Sequence, residues 1–228
     1  MTPVILMAGG RGLRLHPLTE KHPKSLLKVG GKPILEQIID GFARQGFRRF
    51  WLCVNYKADL IKDYFGDGGV RGLKIKYIHE TEPLGTGGAL RLLPAFDVPF
   101  ILCNADVLAK IEYGDLMEYH ARANVQATVC AALSQRQGPY GVLDVEPAPG
   151  STAIRLISLR EKPIEGTLVN AGVYVLDPKA LDLAPEGHFD MPELIDRLDR
   201  VAAYPIEGYW VDVGSFIDLA MANTEWAA

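Results

Sequence analysis

Residues 4–24, VILMAGGRGLRLHPLTEKHPK, constrain this chain more than any other stretch. An apolar run of strand length, residues 4–7, stops at Ala8-Gly9-Gly10-Arg11-Gly12, where three glycines in four positions break regular structure. Pro17 and Pro23 then carry the chain on in an irregular path. A strand that runs into a glycine-rich turn lets backbone N–H groups come close to a ligand, because glycine has no Cβ to hold the ligand off. Phosphate suits such a turn. The plain alternative is a glycine hairpin loop with solvated lysines. The spacing matches neither the G-x-x-x-x-G-K-S/T nucleotide loop nor the G-x-G-x-x-G dinucleotide turn.

Charge favours a small anion. Residues 11–32 hold six basic side chains (Arg11, Arg14, Lys21, Lys24, Lys28, Lys32) and one acid, Glu20, although the formal net charge of the chain is −4. An acidic protein that gathers positive charge beside a glycine turn binds a local polyanion; it does not coat DNA or a membrane. At 228 residues and 48% hydrophobic, the chain can bury a sizeable core, and one α/β domain is the default. No apolar run approaches the length of about 18 residues that a membrane span needs, and no charged-then-apolar leader precedes the first strand. A soluble, cytoplasmic protein is expected. Cys53, Cys103 and Cys130 each lie in an apolar run, which predicts buried free thiols and leaves any metal to oxygen ligands.

Further along, Ile34, Leu35, Ile38, Ile39 and Phe42 recur at helical spacing, and Gly46 ends that helix. Residues 50–54 read as a strand covered on both faces. A second helix is expected over 57–65 with Leu60, Ile61, Tyr64 and Phe65 as its stripe, then a strand over 73–78. Strands alternating with helices predict a single doubly wound, mostly parallel, Rossmann-like sheet that binds ligands at the carboxyl ends of its strands. Gly85-Thr86-Gly87-Gly88 repeats the strand-to-glycine design and predicts a helix through Leu90, Leu92 and Leu93, with Thr86 near its N-cap. Residues 99–103 form another buried strand that delivers Asn104-Ala105-Asp106. From position alone, Asp106 is either a helix cap or a metal ligand.

The second half reads differently, with strands over 127–133, 141–145, 153–159 and 168–176 and turns at 138–141 and 147–150. It is expected to extend the sheet antiparallel. One domain over 1–228 is expected, with a first half to about 125 and a second half from about 126. Two helices, near 191–198 and 216–226, close the chain.

Taken together, the motifs resemble those of the sugar-phosphate nucleotidylyltransferases. That family carries Gly-Gly-x-Gly-Thr-Arg-Leu, Pro-Leu-Thr, Pro-Lys and Lys-Pro, matched here by residues 9–15, 17–19, 23–24 and 32–33. Leu13 departs from the family's Thr. Glu161-Lys162-Pro163, Asn170-Ala171-Gly172 and Trp210-Val211-Asp212-Val213-Gly214 match the family's Glu-Lys-Pro, Asn-x-Gly and Trp-x-Asp-x-Gly. Each has a bland reading on its own: an exposed ion pair, a turn amide, a helix N-terminal charge.

The resemblance implies a reaction and a site. A nucleoside triphosphate and a sugar 1-phosphate would be the ligands, and Mg2+ the cofactor, held by Asp106 and Asp212. Met7, Ala8, Gly9, Gly10, Arg11, Gly12, Gly85, Thr86 and Asn104 would contact the nucleotide, and Tyr140, Gly141, Glu161, Lys162 and Asn170 the sugar phosphate. Arg14 and Lys24 would act on the reacting phosphates with Asp106. The stretches at 54–57 and 64–68 look most like compact bacterial guanylyltransferases acting on hexose, aminohexose or heptose 1-phosphates, so GTP is preferred. UTP- or dTTP-specific enzymes share the motifs. A catalytically silent regulatory relative that binds nucleotide sugar is the reading from another class; Leu13 favours it, and keeping both Asp106 and Asp212 argues against it. The abrupt start admits an excised unit of a longer protein, and monomer or homo-oligomer stays undecided.

Overall fold

Val4, Ile5 and Leu6 are fully buried in β1 (Pro3–Met7), the strand from which the glycine loop leaves. The structure is a computed structural model that describes residues 2–137, 139–150, 152 and 154–226. Gly138 of an expected turn, Ala153 of an expected strand, and the chain-end residues Met1, Ala227 and Ala228 lie outside the described residues. After the loop come a short 3₁₀ turn and α1 (Leu18–Lys21), then a small ladder of β2 (Lys28–Val29) and β3 (Lys32–Pro33). In α2 (Ile34–Arg44) the buried residues are Ile34, Leu35, Ile38, Ile39 and Phe42, the stripe that the spacing predicts. Gly46, at φ 90°, turns the chain away from it.

Phe50 onward is buried in β4 (Arg49–Val54), as the continuous apolar run requires. The next helix, α3 (Ala58–Phe65), corrects its expected stripe: Ala58, Ile61 and Phe65 are buried, while Leu60 and Tyr64 are exposed. Tyr64 turns outward because its hydroxyl donates to Glu36 Oε2 at 2.6 Å, a contact that keeps the phenol oxygen wet. β5 (Lys74–His79) forms the sheet edge beside β4.

A second correction falls on 85–93, where the expected helix is only a 3₁₀ segment, Gly88–Leu92. Gly87 and Gly88 are poor helix formers, and they are used for close packing. A Cβ on Gly87 would strike the Phe189 ring, and one on Gly88 would lie 2.8 Å from the Gly187 carbonyl oxygen.

β6 (Phe100–Asn104) is followed directly by β7 (Val107–Ala109), so Asp106 caps no helix and that alternative falls. α4 (Tyr113–Ala123), absent from the sequence reading, comes next. The strands of the second half are β8 (Ala127–Gln137), β9 (Val142–Pro147), β10 (Ile154–Arg160) and β11 (Ile164–Leu176). The closing helices are α5 (Met191–Ile195), shorter than expected, and α6 (Phe216–Glu225). Between them lie two strands not anticipated, β12 (Val201–Pro205) and β13 (Trp210–Asp212).

The seven-stranded sheet runs β12-β8-β11-β6-β1-β4-β5. β1 pairs in parallel with both β4 and β6, β4 with β5, and β8 with β12, while β11 is antiparallel to β6. The mostly parallel α/β sheet is therefore as expected, and β1 and β6 deliver the glycine loop and Asn104 side by side, in register at Met7 and Asn104. The three cysteines are free and buried, as their apolar settings predict.

The chain forms two compact units. One comprises Met1–Ala131 with Asn170–Ala228; the other, Ala132–Val169, contains the antiparallel β9–β10 hairpin and the adjoining parts of β8 and β11. Within the second unit, Leu143, Val145, Ile154, Leu156 and Leu159 are exposed, so its hairpin carries much apolar surface for its size.

Candidate active site

At the end of β1 the chain is tied to its neighbours before it enters the loop. Ala8 N donates to the Cys53 carbonyl at 2.7 Å, and Ala105 N donates to the Met7 carbonyl at 3.1 Å. Gly12 has φ 64°, a left-handed conformation that favours glycine, and a Cβ there would press on Thr19 and Lys24. Thr19 Oγ1 donates to the Gly12 carbonyl at 3.0 Å and so fixes the far end of the loop. Gly10 faces open space.

Four charged side chains converge beside this loop. Lys24 Nζ donates to Asp106 Oδ2 at 2.5 Å and lies 3.6 Å from Asp212 Oδ1. Asp106 lies in the turn just before β7 and Asp212 at the end of β13, which pairs antiparallel with β7; Asp212 pairs with Val107, and Val213 N donates to the Asp106 carbonyl at 3.0 Å. Burial and then the Asp106 charge push the Asp212 carboxyl above its ordinary range, opposed by Lys24 and Arg14. Asp106 Oδ1 is buried with no hydrogen-bond partner among the described residues. The Arg14 guanidinium rests on Gly214, where a Cβ would lie 2.7 Å from its terminal nitrogen. Asp212 starts no helix: Ser215 caps α6 instead, accepting from Asp218 N.

Two cavities flank this cluster within the first unit. One, of about 250 Å³, is lined by Met7, Gly9, Gly10, Glu80, Gly85 and His188 among others. Glu80 is only 4% exposed, and burial raises its carboxyl above the ordinary range. Its Oε1 occupies the space beside Gly9 that a Cβ would need, 2.7 Å away. The other cavity, of about 300 Å³, is lined by Thr86, Asn104, Asn170, Asp190, Trp210 and Asp212 among others. Here Asn170 Nδ2 donates to Tyr174 Oη at 2.6 Å, Trp210 Nε1 donates to the Ala171 carbonyl at 2.9 Å, and Asn104 Oδ1 is buried without a partner among the described residues. Gly172, at φ 72°, leaves room for the Asn104 amide, which a Cβ would meet at 2.8 Å.

The first unit thus brings together Met7, Ala8, the glycine loop, Arg14, Lys24, Gly85, Thr86, Asn104, Asp106, Asn170 and Asp212. Tyr140, Gly141, Glu161 and Lys162 belong to the second unit, where Glu161 Oε2 lies against Gly141, 2.9 Å from the place of a Cβ. Thr86 does not act as the expected helix cap; its N–H and hydroxyl both donate to Asp190.

A nucleotidyl transferase family model matches residues 3–228. The chain belongs to that family. Relatives named mannose-1-phosphate guanyltransferase, from Yarrowia lipolytica and Pichia angusta, are 34% and 33% identical over 225 residues, covering 92% of this chain and 60% of their own length. The chain therefore spans about 60% of the curated relatives it matches. Among solved structures, HddC from Yersinia pseudotuberculosis, in complex with GMP-PN, has a TM-score of 0.74 at 26% identity, covering 99% of this chain and all of that one. A glucose-1-phosphate thymidylyltransferase from Bacillus anthracis shares the fold, with a TM-score of 0.79 at 20% identity, covering 98% of this chain and 94% of that chain.

Three residues that border the two cavities carry no clear signal in the sequence: Glu80, His188 and Asp190. Glu80 directly follows β5, and an acid at a strand's carboxyl end is the one signal for it. His188 and Asp190 sit in a loop more than 100 residues after Thr86, which Asp190 contacts, and no local pattern marks them. Among the described residues, no helix is long and apolar enough to cross a membrane.

Proposed function

We propose that this chain transfers a nucleoside monophosphate from GTP to a sugar 1-phosphate, with mannose 1-phosphate or a similar hexose 1-phosphate as acceptor, and releases pyrophosphate. The observation that carries the reading is the meeting of Arg14, Lys24, Asp106 and Asp212 beside a glycine loop. The family and the relatives' names supply the substrate class.

An oxygen of the sugar phosphate attacks the α-phosphorus, and the bond to the pyrophosphate oxygen breaks in line with it. A phosphate monoester with its second pKa near 6 is already largely a dianion at neutral pH, so no histidine base is needed. The barrier is chiefly electrostatic, because one anion must approach another while charge moves onto the leaving group. In this reading Gly9, Gly10, Arg11 and Gly12 cradle the phosphates, Arg14 carries the β and γ charges, and Lys24 carries the α. Met7, Ala8, Gly85, Thr86 and Asn104 bracket the nucleoside. Tyr140, Gly141, Glu161 and Asn170 take the sugar, with Lys162 on its phosphate.

Magnesium fits the two carboxylates. Asp106 Oδ1 has no partner among the described residues, and the Asp106 charge disfavours the ionised form of Asp212, which a divalent cation would relieve. Magnesium needs no more than one or two protein carboxylates, and when bound it would neutralise phosphate charge. Lys24 bridges the same two carboxylates.

Glu80 supports guanine. Glu80 Oε2 accepts from Leu84 N at 3.4 Å, and the carboxylate keeps further acceptor positions; among the bases only guanine offers adjacent N–H donors, N1–H and the N2 amino group, without an acceptor between them. Uracil and thymine would set carbonyl oxygens against it. The substrates are cytoplasmic metabolites, which supports a cytoplasmic site of action.

The test is pyrophosphate release by the purified protein with magnesium, crossing GTP, UTP, dTTP, CTP and ATP against a panel of hexose, aminohexose and heptose 1-phosphates. Release requiring both GTP and one sugar phosphate is expected. Silence across the panel with nucleotide still bound would point to the regulatory relative instead.

A further inference from the structure

Residues 187–191 form a strap against the loop that contains Gly85 and Thr86. Phe189 N donates to the Leu84 carbonyl at 3.0 Å, and Gly87 N donates to the Phe189 carbonyl at 3.0 Å. Asp190 Oδ1 receives the Thr86 N–H at 2.8 Å and the Thr86 hydroxyl at 3.0 Å, and Met191 N donates to Thr86 Oγ1 at 3.0 Å. Gly85 is glycine for this reason, since a Cβ there would collide with the Phe189 carbonyl. The strap borders both cavities, His188 lining the smaller and Asp190 the larger.

Asp190 is the chemically active member. The hydrogen bond from the Thr86 backbone holds its carboxyl below the ordinary range, against partial burial, so the group is an anion at neutral pH. An ionised carboxylate has about four acceptor positions; Thr86 occupies two of them and the Glu193 N–H of the α5 capping box a third, which leaves one for a ligand. The cavity that it lines is bordered as well by Trp210, Asn104 and Asn170, a polar and aromatic lining suited to a polyol.

We propose that Asp190, positioned by Thr86, accepts a hydroxyl of the sugar and is a specificity residue for the sugar 1-phosphate. This rests on the transferase reading above. The bland role for Asp190 is the start of α5, where Glu193 Oε1 accepts from Asp190 N at 2.8 Å. Asn and Ser both cap helices well, so Asp190→Asn and Asp190→Ser keep that role and remove the anion.

The experiment measures initial rates with GTP and mannose 1-phosphate, and with its 2-, 3-, 4- and 6-deoxy analogues, for the wild type and both variants. A hydrogen bond to a charged group is worth about 1.5–3 kcal/mol, so the KM for mannose 1-phosphate should rise roughly 10- to 100-fold with the KM for GTP and kcat unchanged. One deoxy analogue should lose a similar factor on the wild type and lose nothing further on the variants. An equal penalty on every analogue, or an unchanged sugar KM, would overturn the inference while leaving the transferase intact. A wild type that releases no pyrophosphate across the nucleotide and sugar panel would overturn the functional reading and this inference with it.

Discussion

Lys24 and Asp106 are 82 residues apart in sequence, yet their side chains meet at 2.5 Å, and the same ammonium lies 3.6 Å from Asp212. The lysine keeps two carboxylates together that would otherwise repel. Lys24→Met should lower kcat/KM for pyrophosphate release by about 100-fold, the usual cost of about 3 kcal/mol for losing one preorganised charged donor. Asp106→Asn and Asp212→Asn should each abolish magnesium-dependent turnover with the circular dichroism spectrum unchanged. Near-wild-type rates in any of the three would remove that residue from the reacting centre.

Glu80 sets up a change of base. In Glu80→Gln the amide oxygen still accepts one N–H, but the amide nitrogen now donates, which suits N3–H beside a carbonyl in uracil or thymine. The expected result is a fall of about 100-fold in kcat/KM with GTP and a gain with UTP or dTTP, read as a ratio across the five nucleotides. An unchanged ratio would mean that the base is selected elsewhere.

Glycines of the two loops should differ sharply. Gly85 combines φ 80° with the Phe189 carbonyl in the place of a Cβ, so Gly85→Ala should cost about 2–3 kcal/mol in urea unfolding. Gly10 has nothing within 4 Å of a Cβ and no positive φ. Gly10→Ala should leave the unfolding midpoint within error, whatever it does to phosphate binding. Equal midpoints for the two variants would contradict the packing of the strap.

His120 gives the fold a dependence on pH away from the site. It is buried on α4, with Nδ1 2.9 Å from Thr128 Oγ1, and burial lowers its pKa below the ordinary 6.5, against a smaller opposing pull from Asp177. The unfolded chain therefore binds the proton first, so stability is whole above pH of about 6.5 and falls as pH drops through the folded value. Urea midpoints measured from pH 8 to pH 5 should decline for the wild type, and His120→Gln should flatten the part of the slope near pH 6. A slope that is the same in both proteins would assign the loss to the carboxylates.

Much of the fold was legible because its signals are local. The α2 stripe, the buried strands expected at 50–54 and 99–103, and the glycine break after β1 each follow from residues within a few positions of one another. The errors share one cause. The spacing of Tyr64 predicts a core residue, but Glu36 on α2 accepts from its hydroxyl and the ring lies exposed. The helix expected after Thr86 does not form because Gly87 packs against Phe189 and Gly88 against Gly187, residues that no nearby pattern connects to them.

The sequence by itself determined the strand and glycine break of residues 4–12, the mostly parallel α/β class and the family's motifs. These depend on periodicity, glycine's missing Cβ and short spacings, all of which are written in consecutive residues. Only the tertiary structure decided that Lys24 sits between Asp106 and Asp212, that Glu80 fills the space beside Gly9, and that Asp190 grips Thr86. Each of those pairs joins residues far apart along the chain, and strand order and register, which local spacing does not encode, are what bring them within hydrogen-bonding distance.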